Sequence, residues 1–94
     1  MHLIGEVDLC TRDLLAAALD EAASPGRDLI VDCARLEFID ASGISVLVAA
    51  ARRIGEAQLR LTNVQAGLAH LLDLLHLTAE VPNLRRDPAP TRPE

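Results

Sequence analysis

Apolar and polar residues along this chain follow two periodicities in turn. Three stretches are typical of strands: MHLIGEVDL, RDLIVDC and AQLRLTN. Three others repeat their apolar residues at helical spacing: RDLLAAALDEAA, ISVLVAAARRIG and VQAGLAHLLDLLHL. Strand and helix alternate three times. This order predicts an α/β domain with a mainly parallel central sheet, right-handed crossovers, and helices packed on the sheet.

Short polar residues and glycines indicate where the helices begin and end. Thr11 is the predicted N-cap of the first helix, and Asn63 that of the third. The Ser-Pro-Gly sequence at 24–26 ends the first helix, and Gly55 closes the second. The uninterrupted apolar run from Leu29 to Val31 is typical of a strand covered on both faces.

Size and composition narrow the function. The 94 residues suffice for one domain with a modest core. A net charge of −5, the absence of lysine and a single aromatic residue, Phe38, argue against a nucleic-acid partner, which needs a basic field and rings for stacking. No apolar run reaches the ~20 residues of a membrane span, and the N-terminus does not resemble a signal peptide. We therefore expect a cytoplasmic protein.

The end of the chain differs in composition from the rest. Four prolines and several charged residues lie between 82 and 94, with little apolar surface to bury. The sequence therefore predicts a folded domain over residues 1–81 and a disordered tail over residues 82–94.

The stretch FIDASGIS, residues 38–45, joins the second strand to the second helix. It does not match the Gly-x-Ser-x-Gly turn of hydrolases, because Asp40 and Ile44 stand where that pattern has glycine. It also lacks the glycines and the lysine of a phosphate-binding loop. The segment Asp40–Gly43 fits a helix N-terminus, where Asp and Ser oxygens accept free amide protons. Those amides also tolerate an added phosphate, so capping and modification of Ser42 are compatible.

Over about residues 3–81 the chain resembles the STAS domain, the fold of bacterial anti-sigma factor antagonists. The likeness rests on GEVDL before a helix, on LIVDCARLEFIDASGISVLVAAARR, and on LRLTN followed by GLAHLLDLLHL. The family signature is an apolar residue, Asp, a small residue, Ser, Gly, then Leu or Ile, and it stands here as Ile39 to Ile44. In that family the serine directly before the glycine is the phosphoacceptor, and Ser42 occupies this position.

The resemblance implies partner switching rather than catalysis, with no cofactor. No metal is expected, because the cysteines and histidines are not at metal-ligand spacing. An unphosphorylated antagonist binds an anti-sigma factor, itself a serine kinase, and so frees a sigma factor. Phosphorylation by that kinase breaks the complex, and a metal-dependent serine phosphatase resets it. Two alternatives stay open: a non-phosphorylated STAS subunit of an ATP-binding-cassette lipid transport complex, and a small-ligand-binding STAS module.

Each residue of the junction has an expected role in partner binding. Ser42 is expected to be exposed, with its hydroxyl free for a kinase. Asp40 is expected to cap the helix and fix the turn, beside the small Ala41. Gly43 is expected to let a partner's backbone come close, because it has no Cβ. Ser45, one turn on and flanked by apolar residues, is the competing phosphoacceptor.

The start of the chain departs from the family pattern. Members usually have a full strand before the Gly-Glu pair, whereas four residues precede Gly5 here. A shortened edge strand exposes unpaired backbone groups that recruit another chain. The sequence therefore predicts a homodimer or an edge-to-edge contact through residues 2–8.

The two cysteines form a candidate redox pair. Cys10 follows the first predicted strand, and Cys33 ends the second. If these strands are parallel neighbours, both thiols lie at the carboxyl edge of the sheet, which also carries Ser42. A disulfide there requires Cα atoms within about 7 Å of each other.

Overall fold

The computed structural model describes residues 1–87. Its strands are β1 (His2–Val7), β2 (Leu29–Ile39), β3 (Leu59–Thr62) and β4 (Leu84–Arg86). Its helices are α1 (Arg12–Ala22), α2 (Ala41–Ile54), α3 (Ala66–Leu74) and the single-turn α4 (Leu77–Glu80). The strands lie in the order β1-β2-β3-β4, and every neighbouring pair is parallel. The predicted α/β fold with a parallel sheet is confirmed.

Helices cover one face of the sheet. Right-handed crossovers between strands that follow one another in a single direction place successive helices on the same side. On the opposite side, Ile30 and Phe38 are 50% and 52% exposed, whereas Val31 and Leu61 on the covered side are fully buried. The prediction that Leu29–Val31 is covered on both faces is therefore wrong, because Leu29 and Val31 enter the core and Ile30 between them does not.

The core is aliphatic. Its most deeply buried side chains come from the inner faces of α1 and α2 and from the strands, and include Leu19, Ile44, Leu47, Ile54, Leu59 and Leu61. Among residues 1–77 and 79–87 no polar or charged residue is buried with them. No helix in this part of the chain is long and apolar enough to span a membrane.

The first helix begins as predicted, but with a different capping arrangement. Thr11 occupies the N-cap position, yet its side chain makes no cap hydrogen bond. Its hydroxyl instead donates to the Glu6 carbonyl at 3.1 Å and accepts from the Asp8 amide at 2.9 Å. The Asp8 carboxylate accepts from the amides of Cys10 and Thr11, at 2.9 and 3.1 Å. Asp8 therefore holds the turn between β1 and α1.

The third predicted helix is shorter than its periodicity indicates. It begins at Ala66 with Gln65 as N-cap, and Asn63 is not its cap. Asn63 has a φ of 54° and donates from its side chain to Asp32 at 3.1 Å. At the other end His76, with a φ of 53°, separates α3 from α4. Apolar spacing alone does not show such a left-handed residue.

Residues 82–87 belong to the folded domain, so the predicted boundary at residue 81 is wrong. Strand β4 pairs with β3, and Leu84 is 2% exposed. The Asn83 side-chain amide donates to the carbonyls of Ala51, Gly55 and Ala57 at 2.6, 3.1 and 3.0 Å. One buried leucine and one amide thus attach a segment whose composition is typical of a tail. Residues 88–94 of the predicted tail lie outside the described residues.

Strand β1 forms one edge of the sheet, and it pairs with β2 along its length. Its register shifts between His2 and Ile4 and again between Gly5 and Glu6. Gly5 has a φ of 83°, a conformation that L side chains rarely adopt. The edge strand is thus present but irregular, and irregularities of this kind weaken an edge as a template for another chain.

Replacing Leu84 tests the place of β4 in the core. Leu84→Ala should lower the free energy of unfolding by about 2–4 kcal/mol, because it removes a buried leucine side chain. Arg85→Ala, at the exposed neighbouring position, is the matched control and should change it by less than about 0.5 kcal/mol. Denaturant unfolding measures both. Equal small effects would mean that β4 contributes nothing to the core.

The homodimer through residues 2–8 stays a prediction, and a charge on the edge strand β1 tests it. Ile4, on β1, is 66% exposed, and a lysine there should prevent edge pairing as charges on natural edge strands do. Analytical ultracentrifugation should show association of the wild type with rising concentration and a monomeric Ile4→Lys variant. Ile30→Lys, on the inner strand β2, is the matched control and should associate like the wild type. A wild type that stays monomeric at high concentration would contradict the prediction.

Candidate functional site

The junction between β2 and α2 is fixed through its main chain. Asp40 is the one residue between the two elements, with an extended backbone at φ −106° and ψ −175°. Its amide donates to the Val7 carbonyl at 3.1 Å, and its carbonyl accepts from the Ile44 amide at 3.0 Å. Asp40 is therefore bonded both to the end of β1 and to the first turn of α2.

One oxygen of the Asp40 carboxylate accepts three hydrogen bonds. The amides of Ser42 and Gly43 donate to Oδ1 at 3.0 and 3.2 Å, and the Ser42 hydroxyl donates to it at 2.6 Å. These bonds hold the pKa of Asp40 below its ordinary value, the Ser42 hydroxyl first and the two amides to a smaller extent. Partial burial acts in the opposite direction. Asp40 is thus an ionised cap of α2, the capping role expected of it.

Ser42 is less accessible than predicted. Its side chain is half-buried, and its hydroxyl is engaged with Asp40 rather than free. The reason is local, since a serine two residues after a capping aspartate reaches back to the same carboxylate. Ser45 is exposed, and its hydroxyl donates to the Ala41 carbonyl at 3.0 Å. Exposure alone therefore favours Ser45 as an acceptor, and the family signature favours Ser42.

Gly43 serves packing, so the prediction that it leaves room for a partner's backbone is wrong. It is buried. A Cβ at this position would lie 2.7 Å from Cγ1 of Ile39 and 2.7 Å from Cγ1 of Val7. Both atoms belong to β-branched side chains with little freedom to move. The missing Cβ lets the first turn of α2 lie directly on the ends of β1 and β2.

The two cysteines do not form a pair. Strand β2 continues six residues past Cys33, to Ile39. Asp32, next to Cys33, is aligned with His2 at the start of β1. Cys10 follows the far end of β1, where Glu6 is aligned with Phe38. Five residues of strand separate these levels by roughly 16 Å, well beyond the reach of a disulfide.

The environments of the two thiols also differ. Cys10 is exposed, whereas Cys33 is buried. Burial first, and then the charge of Asp32, raise the pKa of the Cys33 thiol to about 11. Cys33 is therefore a protonated core residue. Elsewhere in residues 1–87 no three His, Cys, Asp or Glu side chains converge as metal ligands would.

Two concave surfaces adjoin this part of the fold. A groove of about 440 Å³ begins at Ala41 and Ser45, follows α2 as far as Arg52, and is faced by Leu75 and Leu77. A separate cavity of about 210 Å³ lies between β2 and the start of α3 and is lined by Leu36, Phe38, Gln65 and Leu68, among others. Sequence reasoning missed both, because their walls come from elements far apart in the chain.

Comparison with known proteins finds one family model and one solved structure that each match most of the chain. A family model described as "Mlab, STAS domain" matches residues 1–84. The fold is similar to a solved structure of the anti-sigma factor antagonist SpoIIAA in its unphosphorylated form, with a TM-score of 0.64 and 19% sequence identity. That similarity covers 95% of this chain and 77% of the other. No curated protein sequence matches the chain.

Two glycines in helices provide a matched test of the junction. Gly43→Ala should lower the free energy of unfolding by about 1–3 kcal/mol, because the added methyl group overpacks against Val7 and Ile39. A Cβ at Gly67 in α3 meets nothing within 4 Å, so Gly67→Ala should raise it by roughly 0.5–1 kcal/mol. Thermal or denaturant unfolding gives both values. Stabilisation by Gly43→Ala would show that α2 does not approach the strands so closely.

Proposed function

The chain belongs to the STAS domain family, and from this premise we propose that it is an anti-sigma factor antagonist. In this proposal it binds an anti-sigma factor serine kinase and frees a sigma factor, and phosphorylation of Ser42 ends the binding. The main support is the Ser42 hydroxyl, which stands at the family's acceptor position in the first turn of α2. The fold it shares with SpoIIAA, an anti-sigma factor antagonist, is consistent with this role.

The proposed partner surface centres on the segment Asp40–Gly43. Ala41 is exposed, and it also begins the groove along α2. The apolar wall formed by Val48, Leu75 and Leu77 offers burial to a side chain of the kinase, and Arg52 at the far end offers a charge. A partner lying along this groove would cover Ser42 at one end.

Phosphorylation would change the charge of this surface. Transfer of the γ-phosphoryl group of ATP forms a bond between phosphorus and the Ser42 Oγ, breaks the bond to the ADP oxygen, and passes the hydroxyl proton to a base of the kinase. The product carries about −1.5 to −2 charges at neutral pH. Burying that anion beside a carboxylate costs desolvation and repulsion, which is the proposed release step. A metal-dependent serine phosphatase would then restore the hydroxyl.

A regulatory role suits this site better than catalysis. Ser42 donates its hydrogen bond to a carboxylate whose pKa is lowered, and such a group is a poor general base. The proposed role is therefore that of a substrate and binding partner, and it involves neither nucleic acid nor a cofactor.

Two alternatives have specific support. The matching family model is described as "Mlab, STAS domain", and this description names no sigma factor. The second candidate is therefore the other role left open by the sequence, a non-phosphorylated STAS subunit of an ATP-binding-cassette lipid transport complex. The cavity beside Gln65 is the observation that favours a small-ligand-binding module. A transport subunit would copurify with the ATPase of the transporter. A ligand-binding module would still bind its ligand in the Ser42→Ala variant, because its cavity does not involve Ser42.

The test uses the anti-sigma factor kinase of the same genome, ATP, and phosphate mapping by mass spectrometry. Wild type and Ser45→Ala should take up one phosphate at Ser42, and Ser42→Ala should take up none. Ser42→Asp should bind the kinase more weakly than Ser42→Ala, because it adds a negative charge to the interface. Phosphorylation of Ser42→Ala, or equal binding of the two Ser42 variants, would refute the proposal.

A further inference from the structure

Asp40 makes two kinds of contact with a single carboxylate oxygen. The amides of Ser42 and Gly43 cap the helix through Oδ1, and the hydroxyl of Ser42 donates to the same atom at 2.6 Å. A hydroxyl bonded to a carboxylate at this distance belongs to the stronger class of protein hydrogen bonds. The cap of α2 and the orientation of Ser42 therefore depend on the same atom.

The surrounding main chain has little freedom to move. The amide and carbonyl of Asp40 are bonded to Val7 and Ile44. Gly43 lies against the side chains of Val7 and Ile39 with no room for a methyl group. The Asp40 side chain is only half-buried, so it is the part of the junction that can rotate away. A disturbance at Ser42 will move this side chain before it moves the helix.

After phosphorylation, the phosphate on Ser42 and the Asp40 carboxylate would compete for the same donors, the amides of Ser42 and Gly43. Esterification removes the only hydrogen that Ser42 Oγ can donate, and so it breaks the bond to Asp40. The new group carries more charge than a carboxylate and three acceptor oxygens. Amides at a helix N-terminus bind such a group well. Among residues 1–87 no arginine or histidine pairs with Asp40 to offset the repulsion.

Resting on the proposed function, we propose that Asp40 is the positioning residue of the switch and that the phosphate on Ser42 replaces its carboxylate as the cap of α2. Before modification, Asp40 holds the hydroxyl in one orientation at the helix end. After modification, its carboxylate turns outward, so the partner meets a displaced carboxylate beside a phosphate that now caps α2. Asp40 thus converts a change at one atom into a change of the local surface.

The experiment incorporates phosphoserine at position 42 of the full chain by genetic encoding, so no kinase is needed. Carboxyl ¹³C NMR follows the titration of Asp40 in the wild-type, the phosphorylated and the Ser42→Ala proteins. The charged group at the neighbouring strand end is Asp8, which bonds to Cys10 and Thr11, and its titration serves as an internal reference.

The pKa of Asp40 should lie below its ordinary value of about 3.9 in the wild type and above it in the phosphorylated protein. Ser42→Ala should raise this pKa only part of the way, because the two amide bonds remain. The Ser42 and Gly43 amide resonances should move downfield in the phosphorylated protein as the phosphate accepts their protons. A pKa of Asp40 that phosphorylation leaves unchanged would overturn the inference, and so would unfolding of the phosphorylated protein.

These outcomes are separate from the fate of the proposed function. If no anti-sigma factor kinase modifies Ser42 but the encoded phosphate displaces Asp40, the proposed function fails and the inference about Asp40 stands. If the kinase modifies Ser42 and Asp40 stays in place, the proposed function stands and this inference fails.

Discussion

The contact of Gly43 with Val7 and Ile39 determines the geometry of the proposed switch. Because position 43 has no Cβ, the first turn of α2 lies on the ends of two parallel strands. The main-chain bonds of Asp40 to Val7 and Ile44 also fix this turn. Ser42 therefore has a defined place relative to the sheet. In the proposed function, a partner would meet a preformed surface and would not have to order it, which lowers the entropic cost of binding.

The electrostatics of the junction follow from this packing. Asp40 is kept ionised by a hydroxyl and two amides, and partial burial opposes them. Dipoles rather than a basic side chain thus stabilise its charge. A site of this kind holds one negative charge well, but residues 1–87 provide no countercharge for a second. A phosphate at Ser42 can therefore change the surface strongly even though the aliphatic core below it stays the same.

Much of the fold could be predicted because its determinants are local. Helical and alternating spacing indicated three strands and three helices, and Asp40 and Gly55 marked the ends of α2. Strand β4 was missed because its contribution to the core is one leucine, Leu84, in a segment rich in proline and charge. The break at His76 was missed because a left-handed residue within an apolar run leaves the spacing almost unchanged.

The candidate site was predicted in part for the same reason. The capping role of Asp40 depends on neighbours in sequence, so the pattern indicated it. The packing of Gly43 depends on Val7, which is far away in the chain, and the separation of Cys10 from Cys33 depends on how far β2 extends. The engagement of the Ser42 hydroxyl with Asp40, by contrast, is a local contact between residues two apart. Contacts between distant segments are what a single sequence does not specify.

The hydrogen bond from Ser42 to Asp40 is the central claim of this account, and the hydroxyl proton of Ser42 tests it directly. Proton NMR at low temperature should show this proton as a separate, slowly exchanging signal with a nuclear Overhauser contact to the Gly43 amide. The signal should persist in Asp40→Asn, which keeps an acceptor oxygen, and disappear in Asp40→Ala. A Ser42 hydroxyl that exchanges with water as fast as that of the exposed Ser24 would contradict the account.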